Sequence, residues 1–247
     1  MRIDAVFTPA GLAPADVQGR SVFVIDILRA TTTMCAALSH GARAIIPVGS
    51  TEEALRLAQT IGSDDVLLAG EKDCERIPGF QLGNSPLEMG DSTVRGKTLI
   101  VTTSNGTKAL LACQGAAAVY PSAAVNLTAS VEKAQEVLRT EGNILLVCAG
   151  RQGAFGLDDA YCAGRLIVAI LGDRKRRRGL NDAALACLDL VRRYGDNWER
   201  PLSYSRAGRE LIRRGFGDDL RDASRMDAYP VLPHFHERRV TLVPVPV

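Results

Sequence analysis

Four segments place carboxylates, guanidinium groups and turn-forming amides directly behind apolar runs. The first is Asp26-Ile-Leu-Arg29-Ala-Thr-Thr-Thr33, which closes the run Ser21–Ile27. A carboxylate there is costly to bury unless it is paired or metal-bound. Arg29 is either its partner or a receptor for a substrate anion, with Asp26 left to bind a cation. Thr31 to Thr33 supply hydroxyls and N–H groups at a helix start, a natural anion site. The second segment is Gly70-Glu71, where a carboxylate at a strand end suits a hard cation such as Mg²⁺. Behind it lies a turn-rich loop, Ile77–Pro86, in which Asn84 and Ser85 offer polar groups. Ser85 can also cap a helix that begins at Pro86.

The third segment is Thr103-Ser-Asn-Gly-Thr-Lys108. Asn105-Gly106 favours a turn with positive φ, and Thr107 opens the next helix, which makes a second anion cradle. The spacing of a P-loop is absent. The fourth is Ala149-Gly-Arg-Gln-Gly153 with Asp158 and Asp159 behind it. Arg151 can fork onto an anion. The two acids either cap a helix or complete a cation site with Asp26 and Glu71. Carboxylates set among anion cradles describe metal-assisted phosphoryl chemistry.

These residues have to be held by strands. Ser21–Ile27, Ala44–Val48, Val66–Ala69, Leu99–Thr102, Ala117–Tyr120 and Ile144–Cys148 read as strands. Between them, Thr31–Ser39, a helix capped by Ser50 or Thr51 and running to Ile61, Thr107–Cys113, Leu127–Arg139 and Asp158–Leu171 read as helices. The alternation predicts an α/β fold, with a mainly parallel sheet covered by helices on both faces. In such sheets ligands bind beyond the carboxyl ends of the strands, where all four segments fall. Residues 1–247 are expected to form a single domain, with a helical C-terminal subregion over 181–227 broken near Gly195, Pro201 and Gly215. Strand character returns at Val240–Val247, where Pro244 and Pro246 suit an edge.

Composition narrows the function classes. Thirty Lys and Arg against 28 Asp and Glu give a net charge of +2, which gives no support to nucleic-acid binding. The basic run Arg174–Arg178 reads as a solvated connection, since no aromatic residue or nucleic-acid motif accompanies it. No apolar stretch is long enough to span a membrane, and Met1–Gly11 is not a secretory signal. The six cysteines lie far apart without a C-x-x-C pair, and read as buried thiols of a cytoplasmic protein. His234 and His236 share one face of a strand without a third ligand. Homo-oligomerisation is expected for a soluble enzyme of this size.

The segments Asp26–Thr33, Gly70-Glu71, Ile77–Phe80, Leu82–Pro86, Thr102–Thr107, Cys148–Arg151 with Phe155, and Asp159-x-x-Cys162-Ala-Gly164 occur in one order. Together they resemble the 2-phosphosulfolactate phosphatase family of coenzyme M biosynthesis, more faintly so through Gly215–Leu220. The resemblance implies a three-layer α/β/α fold and a Mg²⁺-dependent phosphomonoesterase that converts 2-phospho-3-sulfolactate and water to 3-sulfolactate and phosphate. It implies site residues Asp26, Arg29, Thr31, Glu71, Asn84, Asn105, Gly106, Thr107, Arg151 and Asp159. On this basis Asp26, Glu71 and Asp159 are expected to hold Mg²⁺. Arg29 and Arg151 are expected to clamp the phosphate and sulfonate ends, and the Asn105–Thr107 amides to hold phosphate oxygens. Whether Asp26 is ligand or nucleophile stays open. Phosphatase action on another small phosphorylated 2-hydroxy acid, or small-anion binding without turnover, are the alternatives. Gly156 stands where the family pattern has Ser, and Lys72–Arg76 is less glycine-rich than that pattern.

Overall fold

A computed structural model describes residues 1–172 and 178–243 of the chain. Most of the basic run (174–177) and the tail residues Pro244 to Val247 lie outside the described residues. In chain order the elements are β1 (Arg2–Val6), α1 (Pro14–Val17), β2 (Ser21–Ile25), α2 (Ala30–Ser39), β3 (Ala44–Pro47), α3 (Thr51–Ile61), β4 (Val66–Lys72) and β5 (Glu75–Arg76). There follow α4 (Asp91–Val94), β6 (Thr98–Thr102), α5 (Gly106–Ala112), β7 (Ala118–Ser122), α6 (Leu127–Thr140), β8 (Asn143–Cys148) and α7 (Leu157–Leu171). The C-terminal part adds α8 (Asp182–Tyr194), α9 (Glu199–Tyr204), α10 (Arg206–Arg213), α11 (Gly217–Ala223), β9 (Pro233–His236) and β10 (Arg239–Leu242).

The architecture is three-layer α/β/α, built on one mostly parallel mixed sheet of order β1-β8-β2-β7-β9-β10-β3-β6-β4-β5. β1, β8, β2 and β7 run parallel to one another, and so do β3, β6 and β4. Between the two sets lies the β9–β10 hairpin, antiparallel within itself and to both neighbours. Three antiparallel steps in succession reverse the strand direction, so the two parallel sets run opposite ways. The sheet is mainly parallel, as the sequence predicts, and this internal reversal is the added feature. It also places β10 inside the sheet, against Ile45 of β3, rather than at an edge.

β2 and β6 are buried at every position, as their Val, Ile, Phe and Leu content requires of strands covered on both faces. Phe23, Ile25, Leu99, Ile100 and Leu146 anchor the core. Full burial of such side chains contributes about 1.5–3 kcal/mol each. α3 packs a smaller cluster of Val48, Leu68, Phe80 and Ile100. Its N-terminus is fixed by Ser50 Oγ, which accepts from Glu53 N at 3.1 Å.

Sequence periodicity missed β1 because a charged residue interrupts its short apolar run. Asp4 is nevertheless buried, paired with Arg20 at 2.9 Å and with Arg2 at 2.9 Å. Asn181 pairs with the Ala5 backbone on both sides, accepting from its N and donating to its carbonyl. All six cysteines are free and buried. His234 and His236 stack on β9 with ring centroids 5.7 Å apart.

Candidate active site

The carboxyl ends of the two opposed strand sets meet. α5, which follows β6, packs on β2 and α2 of the other set. Gly106 makes this approach possible. A Cβ there would lie 2.4 Å from Ala30 Cβ and 2.6 Å from Asp26 Oδ2. Gln152 N donates across the junction to Asn105 Oδ1 at 2.8 Å, and within the β3-β6-β4 set Ser104 N donates to Glu71 Oε1 at 2.8 Å. Around the junction opens a small cleft lined by Asp26, Arg29, Glu71, Asn84, Asn105 and Arg151, among others. Six of the ten expected site residues therefore share one cleft, drawn from the ends of β2, β4, β6 and β8 and from the Ile77–Pro86 loop.

The turn after β2 is closed on itself. Ala30 N donates to Asp26 Oδ1 at 3.3 Å, and Thr31 N donates to the Asp26 carbonyl at 2.9 Å. The hydroxyls of Thr31, Thr32 and Thr33 donate to the carbonyls of Asp26, Ile27 and Asn84. The three threonines thus shape the turn instead of offering hydroxyls to a ligand. Thr107 behaves likewise, since its Oγ donates to the Thr103 carbonyl and its N–H donates to Thr103 Oγ. Of the rest of the expected cradle, Asn105 lines the cleft with its Oδ1 accepting from Gln152 N, and Gly106 packs against Ala30 and Asp26.

Asp26 is buried, and its pKa is raised to about 7. Desolvation is the main cause, followed by the charge of Asp158; Ala30 N and Arg29 pull the other way. Asp158 is raised to about 6, chiefly by burial, against backbone N–H groups and Arg151. Asp159 is raised as well, by burial and by its two carboxylate neighbours. It does not line the cleft. Its Oδ1 accepts from Ile27 N at 3.0 Å and its Oδ2 from Gly150 N at 2.9 Å, so it ties the end of β2 to that of β8. Among the described residues no three Asp, Glu, His or Cys side chains converge to hold a metal. The expected Asp26–Glu71–Asp159 triad is not assembled, because Asp159 lies outside the cleft; Glu71, whose two oxygens likewise accept the backbone N–H groups of Ser104 and Cys74, lines it. Asp26 and Glu71 do share the cleft, and the buried Asn84 Oδ1 has no hydrogen-bond partner.

The two arginines differ. Arg29 is buried and pairs with Asp219 at 2.6 Å, not with Asp26. Its second nitrogen donates to the Cys74 carbonyl at 3.0 Å, and its guanidinium lies 4.6 Å from the centre of the Phe216 ring. Asp219 also accepts from Ser85 Oγ at 2.6 Å. Sequence reasoning missed Asp219 and Phe216 as site residues. Their signal was the faint Gly215–Leu220 stretch, since a buried Arg29 needs a carboxylate partner from somewhere in the chain. α10 contributes Ala207 and Leu211 to the cleft wall.

No helix among the described residues is long and apolar enough to cross a membrane. The family model for 2-phosphosulpholactate phosphatase matches residues 6–238. Among curated relatives, a protein of Symbiobacterium thermophilum named probable 2-phosphosulfolactate phosphatase is 37% identical over 233 residues, covering 94% of this chain and 98% of the relative. Proteins of the same name from Thermotoga maritima and Carboxydothermus hydrogenoformans are each 35% identical, over 231 and 243 residues. They cover 94% of this chain and 94% of the relative in the first case, and 98% and 97% in the second. With its strand ends gathered at one cleft and a family match across nearly its whole length, this chain belongs to the 2-phosphosulpholactate phosphatase family.

Proposed function

We propose that the protein is a phosphomonoesterase that hydrolyses 2-phospho-3-sulfolactate to 3-sulfolactate and phosphate, with Mg²⁺ as cofactor. The observation that carries this reading is the convergence of Asp26, Glu71, Asn84 and Arg151 on one cleft at the strand ends. The names of the relatives supply the substrate. The donor set fits Mg²⁺, which is commonly bound through one or two carboxylates, with water and substrate phosphate completing its shell. Asp26 and Glu71 would hold the ion, with the unpartnered Asn84 Oδ1 beside them. Bound there, Mg²⁺ would neutralise charge on the transferring phosphoryl group.

The chain's own residues do the positioning. Arg151 receives an anionic end of the substrate, and the amides at Asn105 and Gly106 face its phosphate oxygens. The Asp159 bridge fixes Asp26 relative to the β8 turn, so the reacting geometry is set before substrate arrives. Ala207 and Leu211 shield one wall from water. Hydrolysis breaks the P–O bond, water adds to phosphorus, and the alcohol oxygen leaves with a proton.

The test is phosphate release from racemic 2-phospho-3-sulfolactate, with Mg²⁺ and with EDTA, beside 2-phospholactate and phosphoglycolate. Release that requires Mg²⁺ and favours the sulfonate is expected. Asp26→Asn is expected to lose roughly 10³-fold or more in kcat/KM while staying folded. Release from the carboxylate analogues alone would keep the phosphatase and discard this substrate. Turnover that survives both EDTA and Asp26→Asn would defeat the mechanism.

A further inference from the structure

The cleft holds two guanidinium groups in unlike electrostatic states. Arg29 is compensated: Asp219 lies 2.6 Å away, and both side chains are about 3% exposed. The Cys74 carbonyl at 3.0 Å and the Phe216 ring complete its surroundings, and Ser85 Oγ donates to Asp219. Arg151 is not compensated. Among the described residues no carboxylate forms a salt bridge with it, although Asp158 lies within its field, and its buried Nε has no partner. Its main chain is locked by a tight turn, with Arg151 N donating to the Ala154 carbonyl at 2.9 Å and Ala154 N donating back at 3.0 Å. The side chain is therefore presented to the cleft from a fixed base.

We infer that Asp219 is a charge-setting positioning residue: by neutralising Arg29 it leaves Arg151 as the guanidinium that receives a tetrahedral oxyanion of the substrate. A guanidinium already carrying a short carboxylate contact has little left to offer a second anion, whereas an unpaired fork in a partly dry cleft binds one strongly. Asp219 touches no reacting atom and acts through Arg29. The inference deepens the phosphatase reading and rests on it only for the class of anion.

The experiment is sulfate binding by calorimetry on the full-length protein, which needs no turnover and so separates this inference from the activity. Asp219→Asn keeps the shape of the side chain and removes its charge. It is expected to tighten sulfate binding roughly tenfold, because Arg29 then enters the cleft uncompensated. The double variant Arg29→Gln, Asp219→Asn is expected to return the affinity to the wild-type value. Unchanged or weaker binding in folded Asp219→Asn overturns the inference, because a purely structural tie predicts that result. Should Asp219→Asn fail to fold, Arg151→Gln decides the matter. Loss of sulfate binding by roughly tenfold or more supports the assignment, and wild-type affinity sinks it.

Discussion

The turn after β2 and the turn after β8 begin alike, each an apolar strand that ends in a polar segment with an arginine. They finish differently. In the β2 turn every threonine hydroxyl is spent on backbone, the Asp26 carboxylate accepts from the first turn of α2, and Arg29 is bound to Asp219. In the β8 turn Arg151 and Ala154 pair with each other, Gly150 N and Gln152 N donate to Asp159 and Asn105, and Arg151 reaches the cleft without an ion-pair partner among the described residues. Residue type alone did not separate the two. What separates them is where the chain returns: α11 brings the Asp219 carboxylate to Arg29, and among the described residues no carboxylate forms an ion pair with Arg151.

Substitution of the two arginines tests this contrast most sharply. Arg29→Gln leaves Asp219 buried and unpaired, so a loss of about 3–5 kcal/mol in folding stability is expected. Arg151→Gln removes a cation that no salt bridge anchors, so its stability should change by less than about 0.5 kcal/mol. Its KM should nevertheless rise strongly. Urea denaturation read beside steady-state kinetics checks both; equal stability losses would erase the distinction between the turns.

Much of the frame was legible from sequence, and the reason is physical. Buried strands such as Val22–Ile25 and Leu99–Val101 are continuous apolar runs, and α3 carries both a side-chain cap and a glycine stop at Gly62. The cleft residues Asp26, Glu71, Asn84, Asn105 and Arg151 were legible because each follows a strand or lies in an unusually long loop. Asp159 was legible as a site residue but not in its role. A carboxylate at a helix start looks the same whether it faces a cation or two backbone amides. The reversal of the sheet was hidden because it depends on the pairing of Pro233–Leu242, which no local pattern specifies. The Arg29–Asp219 pair was hidden for the same reason, its partners standing 190 positions apart in the chain.

The junction between the strand sets gives the next effect. Gly106→Ala puts a methyl group against Ala30 Cβ and Asp26 Oδ2, where the spacing is less than 3 Å. The two sets have to move apart, at a cost of about 1–3 kcal/mol. Activity should fall further than stability, because Asp26 moves with the contact. Alanine at Gly153, where an added Cβ meets nothing within 4 Å, is the control for the loss of a glycine alone, although its φ of +76° adds some strain of its own.

A pH dependence follows from the same carboxylates. Asp26, with a pKa near 7, and Asp158, near 6, both lie above the unfolded value of about 3.9. The folded state therefore holds protons that the unfolded state has released. The stabilisation they bring is complete below about pH 4 and is lost as pH rises through 6 and 7. The melting temperature of the protein in EDTA should accordingly fall between pH 5 and 8. Asp26→Asn should flatten that slope, and Mg²⁺ should flatten it too if Asp26 is a ligand. A melting temperature that rises over this window would remove the carboxylate cluster from the account.

The smallest expected effect concerns the β4–β5 turn. Asp73 and Cys74 have φ of +54° and +69°, a left-handed pair that favours glycine, and neither residue is one. The turn is held because Cys74 N donates to Glu71 Oε2 at 2.7 Å and its carbonyl accepts from Arg29 at 3.0 Å. The side chain at 74 is then either tolerated at a cost in strain or useful to the cleft that it lines. Cys74→Gly relieves the strain and removes the thiol, whereas Cys74→Ala removes the thiol and keeps the strain. A gain of about 1 kcal/mol is expected for glycine alone, with KM at the wild-type value in both variants if the thiol touches no substrate. A KM that shifts equally in both would assign the thiol to the substrate pocket and tie the departure from the family's glycine-rich pattern to specificity instead of to the backbone.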